Sequence, residues 1–465
     1  MDNDFRYKII IEPVHGDIGL SKLETELINT PTFQRLKGIK QLGFAHTVYP
    51  SAKHTRFEHS LGVMHIMGRV IDNTCEELGK EDIQKLRVAA LLHDVGHYPY
   101  SHVMEKIDWD SAKKYMKKKQ GDGNRQNDIP QKYPSHEDLG KIVITERKDI
   151  KGILKSNGID PKEIASLIKG EHQNLPNLLN RSFDIDRLDY LARDSISTGL
   201  PYGKVDINYI VNNLELIENE VVVRAKARNA VEHMLIARYF MFNTLYMHKT
   251  VFAFEEIIRR IILMLLEKGH IYKSGGDIKN IARRSNSRKF LAFHDGYINS
   301  LIDKYASNKK DKVLATLCQA IKYRKPPKLV YAFGDLVANG KIMKEHSNIH
   351  SKSKSNWDDK VPEFVTEFKI PEELWFFSNI NGASFEKRHP FVSLADTANL
   401  DPGEIKELVR IKETSGEIKN LVTDKSSILH YLSRLKPTLL RIYVVGIDDT
   451  KAQQIKGKIK EWLQS

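Results

Sequence analysis

Cysteine is nearly absent from this chain: Cys75 and Cys318 are the only two among 465 residues. Two thiols so far apart exclude a disulfide framework and fit a reducing compartment, so the expected location is cytoplasmic. Membrane-length apolar runs are missing too. The strongest candidate, Ile257 to Leu266, is interrupted by Arg259 and Arg260 and is shorter than the roughly 20 residues a bilayer span needs. The N-terminal Met1-Asp2-Asn3-Asp4 is acidic and lacks the apolar core of a signal peptide, so no membrane partner is expected. Acidic side chains are outnumbered, 60 against 73 Lys and Arg, which leaves a net charge of +13. That excess suits polyanionic partners, either nucleotides or nucleic acid. A solvated lysine surface is the competing reading of any single run. There is no internal repeat and no recognisable nucleic-acid motif, and aromatics do not alternate with lysines as a stacking platform requires.

What remains is an ordinary globular composition, 41% hydrophobic and 29% charged, in a chain long enough for more than one domain or subdomain. Tyr7 to Glu12 and Glu220 to Arg224 read as strands. Leu20 to Ile39 is amphipathic, with Pro31 at a helix start after Thr30. His59 to Leu78, Ile83 to His93, Pro161 to Ile168 and Asp184 to Asp194 have helical character. Ser135-His136-Glu137-Asp138 opens a further helix with capping chemistry. Val231 to Lys268 is long enough for two helices. Beyond Gly275 the pattern mixes helices (Tyr297 to Tyr305, Lys312 to Tyr323, Lys451 to Leu463) with strands (Lys328 to Phe333, Leu439 to Ile447). The fold class is therefore mainly α: a helical bundle over 1–270, with a smaller mixed α/β region over 271–465 that completes an oligomer interface or forms a lid. Within the bundle, 107–135 reads as an exposed insertion, rich in Lys113 to Lys119 and then Gly and Asn. Ser351 to Asn356 reads as a flexible break.

The chemistry is concentrated at His93-Asp94, which ends the apolar run Val88 to Leu92. Ionisable groups beside a buried segment are costly unless they are paired or bind a metal. His59, His93, Asp94 and Asp186 offer two imidazoles and two carboxylates, a mixed nitrogen and oxygen set suited to Fe, Mn, Zn, Ni or Mg. No thiolate accompanies them, which argues against a structural zinc site. The four lie on three helical segments, as when a bundle core holds a catalytic metal.

The ordered set His…His-Asp…Asp resembles the HD superfamily of metal-dependent phosphohydrolases. The resemblance is closer to the deoxynucleoside triphosphate triphosphohydrolases, and within them to the catalytic core of the vertebrate SAM-and-HD-domain enzymes. It is carried by Phe33-Gln34-Arg35-Leu36, Ile39-Lys40-Gln41-Leu42-Gly43, Arg56-Phe57-Glu58-His59-Ser60-Leu61-Gly62-Val63, Leu92 to His97, Pro99 to His102 and Asp184 to Asp194. It is strong from about Ile10 to Lys249 and vague afterwards. It implies cleavage of a dNTP at the α-phosphorus to deoxynucleoside and intact triphosphate, with a divalent metal as cofactor.

The resemblance also implies roles. Arg56, Arg187 and Arg238 stand at triphosphate-binding positions. His97, His102, His136 and Glu137 stand around the leaving oxygen, with His102 as the acid and the others in support. Gln41, Leu42, Tyr190 and Asp194 stand at deoxyribose positions, and Tyr246 at the aromatic that excludes a 2′-hydroxyl. Asn29, Gln34, Arg35 and Lys37, with Arg224, Lys226 and Lys249, match regulatory-nucleotide positions. Asn29 replaces an aspartate that reads guanine. An amide cannot accept two guanine protons as a carboxylate does, so GTP activation is expected to be relaxed or absent. Met247 replaces a glutamine beside the aromatic. Multimers bring such regulatory sites together, so a homo-oligomer is expected, a tetramer by resemblance. Two other functions compete: an HD phosphohydrolase acting on other nucleotides, and a nucleic-acid-binding protein with a secondary HD site.

Overall fold

The computed structural model describes residues 3–75, 78–105, 107, 132–179, 184–217, 220–272, 274–284, 287–338, 357–380, 409–421, 423–432 and 435–464. Most of the lysine-rich insertion and the Ser351 to Asn356 break lie outside them. The described chain is mainly helical.

In chain order, an antiparallel hairpin of β1 (Lys8–Glu12) and β2 (Gly16–Leu20) leads into α1 (Lys22–Ile28), α2 (Pro31–Gln34), α3 (Arg56–Thr74), α4 (Lys80–Leu92) and α5 (His102–Glu105). Then come α6 (His136–Glu146), α7 (Lys148–Ser156), α8 (Pro161–Lys169), α9 (Ile185–Thr198), α10 (Ile207–Val211), β3 (Leu214–Ile217), β4 (Glu220–Arg224) and α11 (Arg228–Met241). A π-helical turn at Phe242–Tyr246 separates α11 from α12 (Lys249–Glu267). Beyond it are α13 (Gly275–Arg283), α14 (Arg288–Leu291), α15 (Asp295–Ala306), α16 (Lys312–Lys322), β5 (Lys328–Ala338), α17 (Trp357–Phe368), β6 (Trp375–Ile380), β7 (Arg410–Lys412), β8 (Ile418–Asn420), α18 (Ile428–Leu432), β9 (Leu435–Val444) and α19 (Asp449–Gln464).

Local chemistry sets the helix boundaries that matter for the site. Thr55 caps α3 and Glu58 reaches back to complete a capping box, so the helix begins three residues before His59 rather than at it. The Asp184 carboxylate accepts from the Asp186 backbone N–H and starts α9, which ends at Gly199 in the left-handed conformation. The amphipathic stretch expected over Leu20 to Ile39 is two short helices. Thr30 caps the second one, whose first residue is Pro31.

Helix α3 packs against both α4 and α9, and α4 packs also against α8. A Cβ at Gly62 would overlap the Asp189 carboxylate, and one at Gly68 would overlap the Arg87 guanidinium. The glycines on α3 thus let buried charged groups approach the helix. The Arg87 Nε and Nη2 donate to the two Glu24 oxygens at 2.7 and 3.0 Å. Buried charge of this kind persists only when paired.

The C-terminal part is stitched into the bundle. Strand β7 pairs parallel to β4, so the four-stranded sheet β3-β4-β7-β8 draws on both halves of the chain. A second sheet, β5-β9-β6, is antiparallel. From it the Arg441 Nη1 donates to the Met247 carbonyl at 2.8 Å and the Tyr443 hydroxyl to the Lys249 carbonyl at 3.1 Å. These bonds pin the start of α12, whose apolar face from Val251 to Leu266 is buried. Among the described residues no helix is long and apolar enough to cross a membrane.

Candidate active site

The first turn of α3, the turn after α4 and the first turn of α9 bring His59, His93, Asp94 and Asp186 together. His59 Nε2 lies 2.7 Å from Asp186 Oδ1 and 3.7 Å from Asp94 Oδ2. His93 Nε2 lies 3.4 Å from Asp94 Oδ1 and 4.0 Å from Asp186 Oδ1. Each imidazole is oriented from behind. His59 Nδ1 bonds Asp189 Oδ2 at 2.7 Å, and His93 Nδ1 bonds the Ala90 carbonyl at 2.7 Å. With Nδ1–H donated, each Nε2 lone pair points to the centre of the cluster, the arrangement of a metal-ligating histidine. Both Nε2 atoms are buried and lack a well-formed hydrogen bond. Two such atoms beside two carboxylates fit a divalent cation.

Electrostatics favour the ionised acids. Burial opposes charge on Asp94, but Arg56, His93 and His97 outweigh it and hold the carboxyl well below its usual range. The Arg56 Nη1 donates to Asp94 Oδ2 at 2.6 Å while its Nε donates to Ser101 Oγ at 2.9 Å.

The loop after Asp94 turns sharply. Tyr100 and Ser101 both adopt the left-handed conformation, φ 55° and 54°, which disfavours side chains larger than glycine. Asp295 accepts from the Tyr100 N–H at 2.7 Å, and Ser101 Oγ donates to the Lys40 carbonyl at 2.8 Å, so the strain is held from both sides. The turn delivers His102 to a second cluster. His97 and His136 stack at 4.0 Å, and His102 lies edge-on to both at 5.0 and 5.4 Å.

Glu105, which the sequence reading left out, organises this cluster. Its Oε2 accepts from His102 Nδ1 at 3.0 Å and its Oε1 from His136 Nδ1 at 3.0 Å. Burial opposes protonation of His136, but Glu105 outweighs it and raises the imidazole above its ordinary value. Glu137 stands elsewhere: it is exposed in the first turn of α6, where its charge acts on Lys169. The legible signal for Glu105 was its spacing, three residues after His102 on one helical turn.

A cavity of about 320 Å³ includes His102 of the second cluster and Arg56, the partner of Asp94, in its walls, together with Gln41, Leu42, Tyr190, Asp194, Arg238, Tyr246 and Met247. The Tyr246 hydroxyl donates to Asp194 Oδ2 at 2.5 Å, and His54 Nε2 bonds Asp194 Oδ1 at 2.8 Å. His54 has no spacing signature in the sequence. Burial and Asp194 keep the Tyr246 phenol protonated. Arg238 pairs with Tyr190. Buried Gln41 Oε1 has no hydrogen-bond partner and lies in the cavity wall. Arg187 is not part of the wall. It sits one turn into α9 with its Nε 3.5 Å from Asp184 Oδ2.

The residues assigned to regulatory positions separate. Asn29 and Lys37 are exposed near α1 and α2, with the Lys37 ammonium over the Phe57 ring. The Gln34 Nε2 donates to the Ile28 carbonyl. Arg224, Lys226 and Lys249 are exposed around β4 and the start of α12. Arg35 requires a correction, because it is buried and both terminal nitrogens of its guanidinium are turned inward onto backbone carbonyls. Nη1 donates to the Phe293 carbonyl at 2.7 Å, and Nη2 to the carbonyls of Val95 at 2.9 Å and His97 at 2.8 Å. It braces the loop that follows Asp94 and presents no donor to a surface nucleotide.

Residues 56–194 match the HD domain and residues 205–288 the HD associated region, so fold and site define an HD-domain protein. The chain belongs to that family. An uncharacterized protein of Mycoplasma genitalium is 31% identical over 66% of this chain and 75% of its own length. The human deoxynucleoside triphosphate triphosphohydrolase SAMHD1 is 24% identical over 98% of this chain and 73% of its own. A crystal structure of a phosphohydrolase from Bacteroides thetaiotaomicron superposes with a TM-score of 0.67 over 95% of this chain and all of that one, at 23% identity, and shares the fold. The chain spans about half to three quarters of the length of most curated relatives it matches.

Proposed function

We propose that this chain is a metal-dependent dNTP triphosphohydrolase, which takes dNTP and water to deoxynucleoside and inorganic triphosphate. One observation carries the reading. The arginine that bonds the metal-site acid Asp94 and the histidine held by Glu105 line the same cavity as a tyrosine–aspartate pair suited to a sugar. Such a cavity, apolar with a few convergent polar groups, is of the kind that takes a nucleoside.

His59, His93, Asp94 and Asp186 would hold the divalent metal, which supplies Lewis acidity toward a phosphoryl oxygen and a more acidic water. Arg56 and Arg238 in the cavity wall, with Arg187 beyond it, counter the triphosphate charge. When the α-phosphorus to O5′ bond breaks, the leaving oxygen needs a proton. His102 donates it, oriented by Glu105 and flanked by His97 and His136. Tyr190 offers an aromatic face to the deoxyribose, and Gln41 and Asp194 offer polar contacts. Tyr246, fixed by Asp194, closes the space a 2′-hydroxyl would need.

The finer expectations belong to the same proposal: a cytoplasmic homo-oligomer, tetrameric by resemblance, with a regulatory nucleotide at the exposed Asn29, Lys37, Arg224, Lys226 and Lys249. Light scattering with and without dNTP checks the assembly, and a monomer under both conditions would remove it. Sugar selection tests the function. Wild type should turn over dATP and leave ATP, and Tyr246→Ala should narrow that difference. Equal turnover of ATP by wild type would contradict the reading.

A further inference from the structure

Helix α9 separates the substrate cavity from a second cavity of about 400 Å³. Tyr190 and Asp194 face the first, and Ala192, Ser195 and Ile196 face the second, as the helical period requires. The second cavity is lined by His15, His65, Arg69 and Lys204, with Asp206 as the one carboxylate in its wall. That carboxylate is engaged, since Asp206 Oδ1 accepts from the Tyr209 N–H at 2.9 Å. The Arg69 Nη1 donates to the Asn208 side chain at 2.6 Å. Among the described residues the remaining Arg69 donors and the Lys204 ammonium have no acceptor, and neither ring nitrogen of His65 has a hydrogen-bond partner. Side-chain cations and N–H groups that outnumber the one carboxylate in the wall point to a ligand that brings negative oxygens.

The rear wall of this cavity leads to the metal site. His15, with only 4% of its side chain exposed, has Nε2 2.7 Å from Asp189 Oδ1, and Asp189 Oδ2 bonds His59 Nδ1 at 2.7 Å. The Arg193 Nε and Nη2 clamp the same carboxylate at 2.8 Å each. A shift of the His15 ring is therefore passed through one carboxylate to a metal ligand.

We propose that this cavity is an effector site for a small phosphate oxyanion, bound by Arg69, His65 and Lys204, with His15 relaying occupancy through Asp189 to His59. The charge around His65 agrees with this. Burial first, and then the nearby His15, Arg69 and Arg87 against the opposing Asp189, push its imidazole down to about 4, so the ring enters the site neutral, with one N–H to offer. The cavity admits inorganic phosphate or the phosphate of a deoxynucleoside monophosphate, and calorimetry separates the two.

Metal-loaded full-length protein would be titrated with inorganic phosphate and, separately, with dAMP. The proteins compared are wild type, Arg69→Gln/His65→Gln and Lys204→Gln; the last removes an exposed charge without touching packing. Loss of charge-assisted hydrogen bonds should weaken binding about tenfold in the double variant and less in Lys204→Gln. Binding of dAMP alone would assign the site to the nucleotide, and binding of phosphate to the free ion; either supports it. In wild type the bound anion should change the hydrolysis rate at saturating substrate, and in the double variant it should not. Equal affinity in all three proteins, or no binding of either probe to wild type, would overturn the proposal. Calorimetry needs no turnover, so this result stands apart from the identity of the substrate.

Discussion

Glu105 holds two imidazoles at once, which makes it the side chain whose removal separates positioning from binding. In Glu105→Gln, kcat should fall about 10²- to 10⁴-fold, the usual range for a lost general acid, with KM nearly unchanged. The pH profile should move as well. His136 is raised by Glu105 against the opposing effect of burial, so its cationic form persists to higher pH than a free imidazole's and is lost as pH rises past the raised value. Without the carboxylate that alkaline limb should shift to lower pH, and an unmoved limb would exclude His136 from the proton path. Asp94 makes a second case. Asp94→Ala removes a proposed metal ligand and leaves the Arg56 guanidinium buried without its carboxylate. Bound metal measured by mass spectrometry should drop. Unfolding stability should fall by about 3–5 kcal/mol, the cost of breaking a buried pair. At this scale the candidate cluster was legible, from ionisable groups beside apolar helix and from the family resemblance, and the structure brings its four members together. Asp295 and His54 were not legible, since each reaches its site from a distant or unpatterned position. Arg35 was misleading: an arginine in a motif reads the same whether it faces solvent or braces a loop from within.

Among the elements, α3 and α9 cross where Gly62 leaves room for Asp189. Gly62→Ala should push Asp189 off His59 Nδ1 and weaken metal binding without altering any ligand. Metal titration of the purified variant checks this, and wild-type affinity would show that the helices yield at no cost. Gly96 has the same character, because a Cβ there would overlap the backbone of His136 and Gly140. Two helix starts were readable from their cap residues, Ser135 before α6 and Thr30 before Pro31, whereas the Thr55–Glu58 box that starts α3 was passed over in favour of His59. The two short helices after Leu20 read as one amphipathic run because periodicity alone does not register a break. The π-helical turn that positions Tyr246 has no sequence signature of its own; it depends on α12 being pinned from the C-terminal sheet.

For the molecule as a whole, the division near residue 270 was read from a change in pattern, whereas β7 joining β4 is a non-local pairing that periodicity cannot report. The pairing bears on stability. Helix α12 packs against α16 and β6, and each fully buried aliphatic or aromatic side chain contributes roughly 1.5–3 kcal/mol. A chain truncated after residue 270 should therefore expose the Ile257 to Leu266 face and aggregate or unfold, as judged by size exclusion and circular dichroism. A stable, soluble fragment would mean that the bundle is self-sufficient. The net charge of +13 is also a property of this scale. The two cavities account for several of the cations. A nucleic-acid function would instead appear as binding that falls steeply with salt.

The most direct test of the central claim is chromatographic product analysis with Mn²⁺ or Mg²⁺ and each dNTP and NTP supplied singly and then mixed, beside Asp94→Ala. The account predicts deoxynucleoside and unbroken triphosphate from dNTPs, absent in the variant. Monophosphate products, or turnover confined to NTPs, would contradict it.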